Sequence, residues 1–354
     1  MADLTLSRPR SGVARWPRLL GVWGVLLLAL GAVFMLSLML GSVRIPLDDV
    51  ARVLMGGEAH RASWTDIIWL FRVPKAITAV LAGAALAAAG LQLQTLFRNP
   101  LADPYLLGSA AGASLGVVAV LAAQTLAGVS AGMLLGTLTQ VGLVAAAFAG
   151  ALAGVSLTLL LARGAQQTTR LLLAGVVVGV VLGALNDLLT TLAPDALRGK
   201  QAFLLGTTGF LGWTSCAVLA AVLALVLPLA WRLARVLDAL TLGEDSATSL
   251  GLTLPRWRLV LVVLMALATG TAVAQAGMVA FVGLVAPHLV RRFVDAAHGY
   301  RLVASAAMGG ALLGLADVLA RTLIAPQELP VGVLTAVLGG FYLLWLLQRR
   351  GGTA

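Results

Sequence analysis

The residues able to do chemistry are few in this chain, and their spacing argues against most enzymes. The three histidines, His60, His288 and His298, are scattered. No H-E-x-x-H string occurs, so the metalloprotease signature is missing. G-x-S-x-G strings occur only inside apolar runs (GASLG, 112–116, and GVSAG, 128–132), without the strand-to-helix turn a hydrolase nucleophile needs. Cys216 is the single cysteine; it excludes an intramolecular disulfide and makes no metal site alone. The two lysines, Lys75 and Lys200, are followed by Ala and Gln. Neither closes a G-x-x-x-x-G-K-[ST] phosphate loop, so the chain is expected to bind no nucleotide and no cofactor. Within its apolar runs the acids are Asp187, beside Asn186, and Asp317, four residues before Arg321. An acid ahead of a base at i,i+4 is the favourable order for a helical pair.

The elements that carry these residues are set by composition. Of 354 residues, 60% are hydrophobic and 11% charged, where soluble domains are about 25% charged. A soluble core could not hide this much apolar surface, so the bilayer is the solvent. A span needs about 20 apolar residues. Roughly ten such stretches are expected, near 17–41, 68–97, 104–124, 131–163, 169–193, 208–234, 259–275, 278–294, 302–322 and 331–348. Backbone groups must be satisfied inside lipid, so these are helices or short irregular pieces buried in protein. Strand-like alternation is absent. The forty glycines suit close helix packing. The fold class is therefore an all-α polytopic membrane protein, one transmembrane domain over residues 1–354. The first run is long and closes on no clear cleavage site, so it reads as a retained span.

With the N-terminus inside and ten spans threaded, 16 of the 24 basic residues fall on the cytoplasmic side and 8 outside. The positive-inside rule favours this orientation, with both termini cytoplasmic. It also explains the net charge of +10 without nucleic acid as a partner.

Four polar islands interrupt the apolar runs. "ALTLGEDSATSLGLTLPRWR" (239–258) falls between spans six and seven on the cytoplasmic side. Gly243 breaks the preceding segment, Glu244 and Asp245 suit the first turn of a short helix, and Gly251 stops it. Ala247, Leu250 and Leu254 are expected on one face. An ordinary solvated loop and a docking helix both remain open. In "TLFRNPLADPYLLGSAAGASLG" (95–116), Asn99-Pro100 is a turn, and Asp103-Pro104 reads as a cap followed by Pro at the first helical position. "MVAFVGLVAPHLVRRF" (278–293) is interrupted by Gly283 and Pro287; pathway lining and a kinked packing helix are both open, and His288 is expected to be structural. "ADVLARTLIAPQELPVGVLTAVLGG" (316–340) places Asp317 and Arg321 at an outer helix end, with "APQELP" as the turn. Asn186 and Asp187 lie toward the outer half of span five, as pathway lining or as structural caps.

With these islands in order, nearly the whole chain resembles the FecCD-type permeases of type II ABC importers, which take up iron chelates, heme and cobalamin. "FRVPKAITAVLAGAALAAAGLQLQTLFRNPLADPYLLGSAAGASLG" (71–116) resembles the family's second and third helices. "LTLGEDSATSLGL" resembles its coupling helix, and "VAFVGLVAPHLVRR" and "ADVLARTLIAPQELPVGVLTAVLGG" its two C-terminal motifs. The family's usual Gly-x-Pro before the last Phe is replaced here by "LGGFYLLWLL" with Gly340.

The resemblance implies a bacterial inner-membrane homodimer of twenty helices. Two cytoplasmic ATP-binding subunits, which hold ATP and Mg, and a periplasmic or lipid-tethered binding protein are implied as partners. It implies that Gly243, Glu244, Ala247, Leu250 and Gly251 couple to the ATPase. Arg72, Lys75 and Arg321 would receive acidic residues of the binding protein, with interfacial snorkelling as the plainer alternative. The family's cytoplasmic constriction maps to Gln166, Gln167, Thr168 and Thr169. The wording of 71–102 is closer to iron-chelate and heme permeases, so a ferric siderophore or heme is expected, with cobalamin as the alternative. No His, Cys or Tyr cluster offers bare iron a site, which favours a chelated cargo. An ion-gradient-driven transporter is the rival mechanism; it would need intramembrane acids, for which only Asp187 and Asp317 qualify.

Overall fold

The computed structural model describes residues 16–126, 137–162, 168–209 and 211–351. Among these residues the elements are all helical. Eight helices are long and apolar enough to cross a membrane. They are α1 (Trp16–Met39), the run through α3 (Ala62–Asp66) and α4 (Val73–Leu96), α5 (Ser109–Leu126), α6 (Thr137–Leu161), α7 (Thr168–Leu192), α9 (Trp213–Arg232), α12 (Leu254–Ala276) and α14 (His298–Thr322). The expected first-span region is a helix, and α15 (Val331–Gly351) carries a shorter apolar stretch. Gly340 leaves α15 unbroken, so the departure from the family's Gly-x-Pro produces a continuous helix.

The expected eighth span is α13 (Val282–Phe293), only 12 residues. At 1.5 Å per residue it covers about 18 Å, short of the ~30 Å hydrocarbon core. The cause is local. Gly277 (φ 69°) ends α12, residues 277–280 carry no helix, and Phe281 (φ 67°) caps the start of α13. Smaller helices complete the chain: α2 (Leu47–Leu54), α8 (Ala196–Leu205), α10 (Ala234–Thr241) and α11 (Glu244–Ser249).

α4 is the axis of the bundle. Nearly all of it from Ala82 onward is buried, and it packs against α9, α12, α13 and α14. Alanine and glycine make this possible, because small side chains let helix backbones approach. A Cβ on Gly90 would stand 1.8 Å from the Gly283 carbonyl oxygen, and one on Gly83 would stand 2.2 Å from that of Gly309.

The connection after α4 does not stay at the helix end. Asn99 forms a local turn, its Oδ1 accepting from the Leu101 N–H (2.9 Å). Asp103 then accepts from the Tyr105 N–H (2.9 Å) and caps a 3-10 turn, Pro104–Leu107, closed by Gly108 at φ 78°. The expected cap and N1 proline are present, but they start this turn and α5 follows at Ser109. Pro104 packs on Gly283, beside Leu86 and Gly90 in the middle of α4. Two irregular segments, 98–108 and 277–281, thus meet inside the bundle. Tyr105 staples them: its hydroxyl donates to the Val279 carbonyl (3.0 Å) and accepts from the Val279 N–H (3.2 Å).

A Gly90→Ala substitution should cost about 3 kcal/mol, the upper end for overpacking. Thermal unfolding in detergent should show a clear loss of Tm for it. Gly24→Ala, where a Cβ meets nothing within 4 Å, should leave Tm unchanged.

Candidate functional site

Polar groups gather at the two ends of α4, which are about 36 Å apart along its 24 residues. At its N-terminal end a π-helical stretch, Ile67–Arg72, precedes Val73. Arg72 donates to the carbonyls of Leu38 and Val43 in and after α1. Arg321, at the end of α14, donates to Asp317 Oδ2 (2.7 Å), Ser37 Oγ (2.7 Å) and the Leu40 carbonyl (3.3 Å). Thr208 donates to the other Asp317 oxygen. Lys75 pairs with Glu328 at 3.0 Å. The expected Asp317–Arg321 pair therefore forms, and Arg72, Lys75 and Arg321 do come together.

Their environment differs from that of a surface receptor for acids. Arg72, Lys75 and Arg321 are 6%, 8% and 5% exposed, and each is engaged within the chain. Their first role here is to lock α1, α4 and α14 into one corner. Glu328, half-exposed in the turn after α14, is the polar member that water reaches. Nearby, Asp49 of α2 accepts from the His60 N–H (2.9 Å) and meets His60 Nδ1 (2.7 Å). The backbone bond from His60 holds the Asp49 carboxyl below its usual range. Asp48, Asp49 and His60 lie close enough to share a cation, but the Arg52 guanidinium already stands 3.6 Å from Asp49 and 3.2 Å from His60.

At the C-terminal end of α4 lies the 239–258 island. It folds into the end of α10, Gly243 at φ 111°, the six-residue α11, Gly251 at φ 81°, and Pro255 in the first turn of α12. Both glycines act as the sequence suggests. The expected shared face does not form: Ala247 and Leu254 are buried while Leu250 is 65% exposed. α11 ends at Ser249 with Leu250 as its C-cap, so Leu250 turns out of the helix's inner face. Ala247, fully buried, offers no side chain to a partner. Leu242, absent from the sequence candidates, is 66% exposed and flanks α11 with Leu250. Asp238 on α10 caps α14, its Oδ1 accepting from the His298 N–H (3.1 Å) and meeting His298 Nδ1 at 2.6 Å.

Glu244 faces inward. Its Oε1 meets Arg258 Nη2 at 2.5 Å, the Thr168 hydroxyl at 3.1 Å and Arg98 Nη2 at 3.9 Å. Thr168 is the first residue of α7, and Thr169 beside it is exposed. Gln166 and Gln167 lie outside the described residues. Asn186 is buried and donates to Ser114 Oγ (2.7 Å), whereas Asp187 is exposed and paired with Lys200 at 2.6 Å. Asn186 thus joins α7 to α5, and Asp187 lies on the surface against Lys200 of α8. His288 Nδ1 lies 2.7 Å from the Tyr342 hydroxyl, joining α13 to α15. Pro287 sits inside α13.

Sequence reasoning missed Arg258, Arg98, Glu328 and Ser37. Arg258 was visible in "PRWR", yet its acid lies 14 positions earlier across a helix boundary. No periodic signal links two such positions.

The model of the FecCD transport family matches residues 27–349. The chain belongs to this family. It is 38% identical over 336 residues to the hemin transport system permease protein HmuU of Yersinia pestis, covering 92% of this chain and 96% of that one. It is 36% identical over 325 residues to the Fe(3+) dicitrate transport system permease protein FecD of Escherichia coli K12 (91% and 96% covered). It is 38% identical over 288 residues to the vitamin B12 import system permease protein BtuC of Escherichia coli O139:H28 (80% and 84%). A solved metal-chelate type ABC transporter in an inward-facing conformation is similar with a TM-score of 0.80, 25% identity, and coverage of 93% of this chain and 98% of that one. The FecCD chain is thus a multi-pass membrane permease.

Removing Asp317 from the locked corner leaves Arg321 buried without its acid, a loss of about 3–5 kcal/mol. Asp317→Ala should therefore lower Tm sharply in detergent. Glu328→Gln, at a half-exposed pair worth at most about 1 kcal/mol, should barely move it.

Proposed function

We propose that this chain is the permease subunit of an ATP-driven, binding-protein-dependent importer of a ferric siderophore or heme. It works as a homodimer in the bacterial inner membrane, as one permease domain. Two ATP-binding subunits meet the α10–α11 elbow on the cytoplasmic side, and a periplasmic or lipid-tethered binding protein meets the opposite end. Both termini are cytoplasmic. ATP and Mg belong to the partner subunits.

The observation that carries this reading is the elbow. A six-residue helix stands between two glycines at positive φ, with Leu242 and Leu250 exposed on either side and Glu244 clamped beneath. Such a projecting, internally braced helix suits insertion into a groove of an ATPase. The excess of basic residues in the loops on that side supports a cytoplasmic location. Long apolar faces on α7 and α15, including Leu173, Val180, Phe341 and Leu344, are free to meet lipid or a second copy.

At the opposite end the binding protein meets a corner already neutralised from within. Arg72 and Arg321 hold their own carbonyls and acid, so they shape the docking surface from below, and Lys75 is the one whose acid, Glu328, faces water. The rival ion-coupled mechanism gains little support: Asp187 is paired with Lys200 and Asp317 with Arg321. Cargo follows the relatives' names, hemin and Fe(3+) dicitrate before vitamin B12, which remains the second reading through its 38% identical relative.

Uptake should be measured in proteoliposomes holding the chain, its ATPase and its binding protein, with ATP enclosed on the ATPase side. Hemin, a ferric siderophore and cyanocobalamin would be offered in parallel. The expected result is ATP-dependent accumulation of hemin or the siderophore. Accumulation driven by an imposed ion gradient without ATP would overturn the importer reading.

A further inference from the structure

Sequence reading puts Glu244 among the residues offered to the ATPase, yet its carboxylate is turned into the permease. The geometry points to another role. We propose that Glu244 is a positioning residue that carries movement of the α10–α11 elbow to the head of α7, through its hydrogen bond with Thr168. This rests on the importer reading above.

Three observations converge on it. First, one carboxylate oxygen gathers the ends of three elements: Arg258 in the first turns of α12, Arg98 just after α4, and Thr168 at the start of α7. Second, the Arg258 side chain is 2% exposed. A buried guanidinium is costly without a charged partner, and bonds between ionised groups are short and directional, so Glu244 is fixed in orientation relative to α12. Third, α11 is a short rigid piece between Gly243 and Gly251, both at positive φ. Glycines there let the piece swing as a unit, and Glu244 is its first residue.

α7 packs mainly on α5, α6 and the 3-10 turn Pro104–Leu107. Its described bond to the elbow is the one from Thr168 to Glu244. A tilt of α11 therefore pulls directly on the first turn of α7. Arg258 sets where the carboxylate stands, and Thr168 receives its displacement. The surface left for the ATPase is mixed: Leu242 and Leu250 at its ends, with Asp245, Ser246, Thr248 and Ser249 exposed between them. Docking and transmission are thus separated onto two faces of one short helix.

The test uses the whole complex of permease and ATPase in proteoliposomes. A reporter thiol is placed at the head of α7 by Thr169→Cys in a Cys216→Ser background, and maleimide labelling is timed with and without ATP. The expected result is a several-fold change in labelling rate on adding ATP. Thr168→Val and Glu244→Gln should each reduce that change to none, while the ATPase still copurifies at the original stoichiometry. The double variant should be no worse than either alone. Leu242→Asp with Leu250→Asp should instead release the ATPase. An ATP-dependent change that persists in Thr168→Val overturns the proposal, even if Glu244→Gln fails to fold. So does release of the ATPase by Glu244→Gln, which would make it a docking contact. A wild-type chain that captures no ATPase at all has a separate signature and would remove the importer reading itself.

Discussion

Every feature of this permease depends on one constraint: inside a bilayer, a peptide group that leaves a helix must find its partner in protein. The chain leaves helical geometry twice at depth, at 98–108 and 277–281. The first lays Pro104 beside Leu86 and Gly283 near the middle of α4, and the second is tied by the Met278 N–H to the Phe203 carbonyl (3.1 Å) at the end of α8. The Tyr105 hydroxyl serves the Val279 carbonyl and N–H together. Alanine and glycine along α4 thus do more than save space. They form a wall close enough for Pro104 and the Gly283 backbone to pack on.

A rigid axis has consequences at both of its ends. At the Arg72 end the charges are buried and mutually satisfied, with Asp317 bound by both Arg321 and Thr208. Such a network resists rearrangement, because any member left alone in a low-dielectric corner carries its full desolvation cost. At the Arg98 end the acid is Glu244, whose side chain is 39% exposed and whose helix hangs between two glycines. The two ends use similar residue types, but only the second stands on a hinge.

Much of this was legible in the sequence. Hydropathy located eight of the ten expected spans because lipid imposes a length, and Gly243, Gly251 and Asp103 acted as their residue types dictate. Four ordered motifs identified the family. Depth and facing were less legible. Nothing in "VAFVGLVAPHLVRR" says that its helix begins at the middle of α4, since that follows from contact with Gly90. Leu250 was expected beside Ala247 on one face, but the helix stopped one residue earlier than such a face requires. Arg72, Lys75 and Arg321 lie at one end of the bundle, yet their burial depends on α1 and the turn after α14 closing over them. Long-range closure of that kind leaves no periodic trace.

The contrast between the two ends also bears on how work crosses the membrane. α4 is packed on several sides and cannot flex alone without opening glycine contacts along its length. α7 and α15 are the opposite case, with broad exposed apolar faces at Leu173, Val180, Phe341 and Leu344. Movement delivered at the elbow should therefore pass around α4 into these outer helices, with the Arg72 corner as the fixed end. α15 is held to α13 by His288 and Tyr342 and lines an apolar cavity of about 210 Å³ with α13 and α14. Space beside a loosely held helix is what a rocking motion needs, because close-packed interiors have two discrete arrangements rather than a continuous range.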